Sequence, residues 1–424
     1  MHSSPVPTFA RPPIPAIVQQ HAEESAMLRH VRSVLVRAPH VKLHQLRRLD
    51  DRIAAHLDGL AVAGDHGTAC ARAGLARGGA GEVFAAAVCA LESQDDAALD
   101  KLASLAAAEP DAQRGLLSAL GWVSAQQLQG TVRRMLAAPE PQRRAIGLGA
   151  CRLHGVDPGL VLASALQDAD AALRIQALRA AAELGRVDLL DAALALLGDA
   201  EPEVARHAAQ AACLLGDRTT SLQWLEAAAL REEADDTRST LIVLQATRWE
   251  RAVELVRTIA RRSPEPQRRV IRACGWLGDV RLVPWLIELM PHDRFARIAG
   301  EAFSMITGAD LAAFDLERKP PQGLAPGPTD DPEDDDVALD EDDSLPWPDA
   351  ALVQRWWAAQ SARWPAGVRS FVGAPATPEH CERVLREGYQ RQRIVAALQR
   401  CLLHPGTPVF PVAAPAWRQQ RRLA

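Results

Sequence analysis

The stretch PEPQRR stands at residues 139–144 and again at 264–269, and the 125 residues between the two copies decide the fold. Related stretches surround it: EPDAQRGLLSALGW at 109–122, EPQRRAIGLGACRLHG at 140–155, DAALRIQALRAAAELG at 170–185 and EPEVARHAAQAACLLGD at 201–217. Their acidic starts, Glu109, Glu140, Asp170 and Glu201, are 31, 30 and 31 residues apart, and Glu265 follows 64 residues later, two periods on. PEPQRR is therefore one turn-to-helix junction met four units apart.

Each unit has a physical logic. An acidic residue, often followed by Pro, suits a helix start, where free N–H groups attract a carboxylate and Pro has no donor to waste. Small and apolar residues then recur at helical spacing, as in Val204, Ala208, Ala211, Leu214 and Leu215. Gly155, Gly185 and Gly216 end the first helix. A second amphipathic helix follows, such as VDLLDAALALLG at 187–198. Two helices per period of about 31 residues predict an all-α fold, an α-solenoid of stacked helix pairs.

Composition agrees. Hydrophobic residues are 48% of the 424, with Ala and Leu dominant and aromatics only 4%, so helix is favoured over strand. No apolar run is long enough to span a bilayer, and the Pro-interrupted start MHSSPVPTFARPPIPAIV does not read as a secretory signal, so a cytoplasmic protein is expected. Seven scattered cysteines without a CxxC argue against a disulfide framework or a zinc ribbon. Arg outnumbers Lys 45 to 3, a bias assigned to base composition of the genome.

The repeat resembles the short HEAT-like repeats of the type first noted in phycobilin lyases, over about seven helix pairs between residues 81 and 310, with a degenerate unit at 225–258 that lacks the Gly. A second resemblance covers nearly the whole chain. It rests on 21–64 (HAEESAMLRHVRSVLVRAPHVKLHQLRRLDDRIAAHLDGLAVAG), 294–311 (RFARIAGEAFSMITGADL), 345–357 (LPWPDAALVQRWW), 367–373 (GVRSFVG) and 385–419 (LREGYQRQRIVAALQRCLLHPGTPVFPVAAPAWRQ). In that order these stretches resemble a bacterial family of HEAT-like proteins. The resemblance implies a genomic setting among type VI secretion genes, beside spike-tip (PAAR-like) proteins and a domain associated with effector chaperoning. It implies no catalytic residues and no cofactor.

Along the chain, 1–15 reads as a disordered leader, 16–77 as an N-terminal helical cap, 78–315 as the solenoid, 319–348 as an acidic Pro-rich linker and 349–424 as a C-terminal helical segment packed on the last repeats. Ten acidic residues fall within 330–343, whereas 344–424 holds eleven Arg against four Asp or Glu. The acidic strap is expected to stay solvated, to fold back on the basic C-terminal region, or to hold a partner.

Several residue sets invite a sharper role. His40 and His44 have a ligand-competent spacing, but no third ligand accompanies them, and a structural role is the better expectation. Cys151, Cys213 and Cys274 recur late in first helices and read as packing positions. His380 and Cys381 are adjacent, so on a helix they cannot face each other as a base–nucleophile dyad. Trp356, Trp357 and Trp364 read as a buried seam against the end of the solenoid. Arg143, Arg144, Arg174, Arg206, Arg268 and Arg269 recur at the helix starts and are expected to pair with the carboxylates there rather than track phosphates.

These patterns predict a non-enzymatic scaffold or adaptor that binds a protein client without membrane or nucleic-acid contact. The family resemblance directs the client reading to a type VI secretion spike-tip or effector component. The alternatives are a lyase-like HEAT-fold enzyme and a nucleic-acid-binding solenoid. Partner-binding residues are sought on the surface: Arg391 and Arg393 in GYQRQR, expected on different sides of a helix, and Asp334, Asp335 and Asp336 in the acidic strap.

Overall fold

The computed structural model describes residues 12–231, 236–262, 267–322 and 340–424. Its described residues fold as α-helices and short turns, apart from one two-residue hairpin, and cluster into two compact units.

The first unit takes Met1–Leu35, His44–His154 and Ala414–Trp417. It contains α1 (Pro15–Leu35), α2 (Leu43–Val62), α3 (Asp65–Gly74), α4 (Ala80–Glu92), α5 (Asp96–Ala108), α6 (Pro110–Trp122), α7 (Thr131–Leu136) and α8 (Pro141–His154). α4, with the sequence AGEVFAAAVCALE, is apolar around nearly its whole circumference, and such a helix must be central. It packs against α1, α3, α5 and α6. Asp50, wholly buried, accepts from Arg32 Nε at 2.6 Å and from the Ala416 N–H at 2.6 Å. Arg32 also donates to the Ala414 carbonyl at 2.9 Å, and Trp417 stands edge-on to Trp122 with centroids 4.7 Å apart. A buried carboxylate is tolerable only when paired and hydrogen-bonded in this way.

The second unit takes Val36–Leu43, Gly155–Ala413 and Arg418–Ala424. Its repeat elements are α9 (Leu160–Ala165), α10 (Ala171–Leu184), α11 (Leu190–Ala195), α12 (Pro202–Leu215), α13 (Thr220–Ala229), α14 (Thr237–Ala246), α15 (Trp249–Ala260), α16 (Arg268–Leu277), α17 (Val283–Leu289) and α18 (Asp293–Thr307). First helices stack on first helices, α10 on α12, α12 on α14, α14 on α16 and α16 on α18; the second helices α13 and α15 pack beside both helices they join, and α11 and α17 beside the first helix that follows. Ala177, Ala180, Ala181, Ala208, Ala209 and Ala212 are fully buried, and their small side chains let adjacent helices approach closely. The α-solenoid expected from the sequence is what the chain builds here.

The helix starts refine the expected cap chemistry. Asp170 and Asp236 accept from the N–H groups of Leu173 and Ser239, at 2.8 and 3.0 Å. Glu201 precedes Pro202 at the same kind of junction but makes no side-chain cap, because the longer carboxylate does not turn back so readily. Asp236 is the start missing from the sequence periodicity; it lies 35 residues after Glu201, and the degenerate unit is a full helix pair, α14 and α15.

The remaining elements are α19 (Ala350–Gln360), the hairpin β1 (Ser370–Phe371) and β2 (Ala374–Pro375), α20 (Pro378–Glu387) and α21 (Gln390–Leu403); α22 (Ala416–Leu423) has residues in both units. α19 packs on α17 and β1 on α18, as expected of a segment docked at the last repeats. α21 departs from that expectation and lies on α12 and α14.

The glycines that end the first helices explain how this segment is held. Gly185, Gly278 and Gly308 take φ near +70° as left-handed C-caps. A Cβ at Gly185 would strike the carbonyl of Gly406, at Gly278 that of Ser370, and at Gly308 that of Val372. Ser370 N–H donates to the Gly278 carbonyl at 2.9 Å, Val372 N–H to that of Met305 at 2.7 Å, and Val409 N–H to that of Glu183 at 3.0 Å. The unit without a Gly uses a side chain instead. Arg369 reaches the end of α14 and donates to the carbonyls of Gln245 and Leu244 at 2.9 and 2.8 Å, and to that of Thr247 at 3.4 Å.

Candidate functional site

Two cavities open in the second unit, and Glu301 of α18 and Arg391 of α21 line both. Arg391 places Nη1 3.0 and 2.9 Å from the two oxygens of Glu301, Nε 3.1 Å from the carbonyl of Arg37, and Nη2 2.9 Å from that of Glu341. One terminal nitrogen reaches both carboxylate oxygens, and each of the three guanidinium nitrogens has an acceptor.

The first cavity is a cleft of about 590 Å³ between the end of α18, residues 39–42 and the α20–α21 turn. Tyr389, the single tyrosine, donates its hydroxyl to Asp310 at 2.7 Å. Lys42, one of three lysines, sits 4.6 Å over the Tyr389 ring and 4.0 Å from the same carboxylate. Burial, and then the hydrogen bond to Asp310, push the Tyr389 phenol well above its ordinary range. His380 is buried, with Nε2 2.6 Å from the Phe371 carbonyl and Nδ1 2.7 Å from Arg383 Nη2. Arg can only donate, so Nδ1 accepts and Nε2 carries the proton. Burial lowers the His380 pKa, which favours this neutral form. Its neighbour Cys381 is fully buried, with the thiol pushed up to about 11, far from a reactive thiolate.

The second cavity is a groove of about 760 Å³ between the first-helix face of α14, α16 and α18 and one side of α21. Leu241, Ile298, Met305, Val395 and Leu398 give it an apolar floor, and Trp276 lies half-buried at its side. Arg37, Arg238, Arg272 and Arg391 line it against only two acidic residues, Glu301 and Glu341.

Beside the groove, the C-terminal end of the acidic strap is fastened to the repeats. Arg297 pairs with Asp340 at 2.6 Å, Arg272 with Glu341 at 3.1 Å, and Arg268 with the buried Asp342 at 2.6 Å. The hydrogen bond to Asp342 holds Arg268 above its ordinary pKa. Trp347 is buried with the guanidinium groups of Arg297 and Arg318 4.7 and 5.2 Å from its ring centre. The described end of the strap, residues 340–343, docks on arginines of α16 and α18, and Arg391 of the C-terminal region joins through the Glu341 carbonyl; the rest of the acidic run lies outside the described residues.

The sequence-derived candidates separate. Arg391 faces the cavities. Arg393 is no surface residue: it is fully buried, and donates to the Leu385 carbonyl at 2.8 Å, to Gln419 Oε1 at 2.5 Å and to Gln390 Oε1. Two residues along a helix is about 200° of rotation, which turns one arginine outward and the other into the core. Asp334, Asp335 and Asp336 lie outside the described residues. His40 borders the cleft just before α2, and burial lowers its pKa; among the described residues no His, Cys, Asp or Glu cluster is placed to hold a metal. Cys151, Cys213 and Cys274 are buried packing residues, and burial pushes the thiols of Cys213 and Cys274 up to about 12. Trp356 packs edge-on to Phe303 of α18, and Trp356 and Trp357 both lie beside Trp364; the expected seam forms, but only Trp364 is buried and the other two are half-buried. Of the recurrent arginines, Arg143 pairs with Asp100, Arg174 with Asp199 and Arg206 with Glu203, carboxylates other than the acidic helix starts, and Arg268 pairs with Asp342 of the strap. Lys42, Asp310, Glu301 and Arg369 were not marked by any motif; the rarity of Lys and Tyr was the one signal that pointed toward Lys42 and Tyr389.

Residues 160–245 match the family model for HEAT repeats. No curated protein matches the chain. Stacked HEAT helix pairs are in general protein-interaction scaffolds, and no helix among the described residues is long and apolar enough to cross a membrane.

Proposed function

We propose that the protein is a non-enzymatic scaffold or adaptor that acts in the cytoplasm and holds a protein client on the first-helix face of its repeats. One observation carries this reading. The repeats already grip a non-repeat stretch of the same chain by its backbone, at Ser370, Val372 and Val409, and leave a groove open beside it. Main-chain hydrogen bonds with apolar pockets are the means by which extended partners are recognised. The resemblance of 21–64, 294–311, 345–357, 367–373 and 385–419 to HEAT-like proteins of type VI secretion loci supports a client from that machinery, a spike-tip or effector component.

The test is recovery of partners on the tagged protein from its native cells, identified by mass spectrometry. The reading requires a spike-tip, chaperone-like or effector protein enriched above an untagged control. Recovery of nucleic acid alone, or of no protein above that control, overturns it.

A further inference from the structure

The groove on α14, α16, α18 and α21 has a chemistry that selects its occupant, and the inference drawn from it rests on the scaffold reading. Its floor is apolar, with Leu241, Ile298 and Leu398, and its volume of about 760 Å³ suits two or three large side chains rather than a single ring. Four arginines line it against two glutamates. Those glutamates are already engaged, Glu301 by Arg391 and Glu341 by Arg268 and Arg272. Arg37 and Arg238 are exposed and have no carboxylate partner among the described residues. An apolar trough flanked by unmatched cations is complementary to an apolar segment flanked by carboxylates.

The groove is also built rather than incidental. The Arg391–Glu301 pair fixes one wall, and α21, which supplies Val395 and Leu398, is held by the buried Arg393 cluster. At the other end of α21, Arg218 donates to the Leu402 carbonyl at 2.8 Å, and a wall held in this way is pre-organised, so less ordering opposes binding. We propose that the groove is a docking site for an acidic amphipathic segment of a partner protein, with its apolar face toward the half-buried Trp276 and Ile394 and its carboxylates toward Arg37 and Arg238.

The test uses the full chain and a pair of fluorescein-labelled, end-blocked peptides of about eighteen residues. Both carry leucines at i, i+3, i+4 and i+7 spacing; one has glutamates at the flanking positions and the other lysines. Anisotropy titrations at low salt should show the glutamate peptide bound at least about tenfold more tightly than the lysine peptide, with the preference shrinking as salt rises. The Arg37→Glu, Arg238→Glu double variant should lose that preference while its thermal unfolding is unchanged. Trp276→Ala should weaken the glutamate peptide and leave the charge preference in place. Equal affinity for the two peptides, no binding of either, or an unaltered preference in the double variant overturns the inference. Binding that emerges only when residues 323–339 are deleted also overturns it, by assigning the groove to the chain's own acidic run. Any of these outcomes leaves the scaffold reading to be judged separately by partner recovery.

Discussion

Arg391 grips Glu301 through both carboxylate oxygens, at 3.0 and 2.9 Å, and the pair lines the cleft on one hand and the groove on the other. The same guanidinium also holds the carbonyls of Arg37 and Glu341, so one side chain joins α18, α21, the 36–43 segment and the end of the acidic strap. Charge reversal here should be felt in all four. Arg391→Glu places two carboxylates in contact and leaves two carbonyls without a donor, a loss of about 2–4 kcal/mol. Glu301→Gln keeps one acceptor and should cost about 1 kcal/mol. Urea unfolding of the two variants measures the difference. The double variant Arg391→Glu, Glu301→Arg should recover part of the loss.

The glycine turns carry two constraints at once, and they can be separated. Gly78 has φ +66° in the left-handed region with open space around it, whereas Gly185 and Gly278 combine φ +72° with a backbone carbonyl where a Cβ would go. Gly78→Ala should cost about 1 kcal/mol, the conformational term alone. Gly185→Ala and Gly278→Ala should cost about 2–4 kcal/mol, because the C-terminal segment must move as well. Hydrogen exchange should show faster exchange at Val409 in the first of these and at Ser370 in the second, with no such change in Gly78→Ala.

Arg369 replaces a glycine cap with a guanidinium. Arg369→Ala removes the donor from the carbonyls of Leu244, Gln245 and Thr247 at once and should lower stability by about 2–3 kcal/mol. Lys can reach one carbonyl but lacks the planar fork, so Arg369→Lys should restore less than half of the loss. Equal stability of Arg369→Ala and the parent chain would show that water caps α14 as well as Arg369 does.

His207 supplies a pH test. Burial first, then the charges of Arg206 and Arg179, lower its pKa to about 4, with Glu203 opposing. The unfolded chain takes up this proton near the ordinary histidine value, and the folded chain does so only near 4. Stability therefore falls as pH drops from about 6.5 toward 4, with no contribution from this residue above 6.5. His207→Gln should remove about 2 kcal/mol of the acid sensitivity between pH 7 and pH 4.5. Parallel acid destabilisation in variant and parent would place the sensitivity in the carboxylates instead.

What the sequence disclosed and what it withheld follow from locality. Helix pairs were legible because capping, Gly termination and the 3.6-residue period are each set within a few residues, as at Asp170 and Gly185. Asp236 was missed because it lies 35 residues after Glu201, off the period of about 31, and its helix ends on Thr247 instead of Gly. The candidate site was hardly legible. Arg391 and Arg393 look alike in the chain, and only the packing of α21 buries one and exposes the other to the cavities. Tyr389 and Asp310 are 79 residues apart, and Lys42 is far from both in sequence, so no local pattern could join them. The acidic strap was recognised by composition, yet its docking depends on which arginines the repeats leave within reach, namely Arg268, Arg272 and Arg297.

The central claim is that the first-helix face holds a protein client. The most direct test recovers partners from native cells on the parent chain and on the Arg37→Glu, Arg238→Glu variant side by side, with quantitative mass spectrometry. The account predicts one or a few proteins of the secretion machinery enriched on the parent and depleted at least about fivefold on the variant, at equal amounts of folded bait. Equal recovery on both would move the client off this face, and recovery of no protein on either would contradict the scaffold itself.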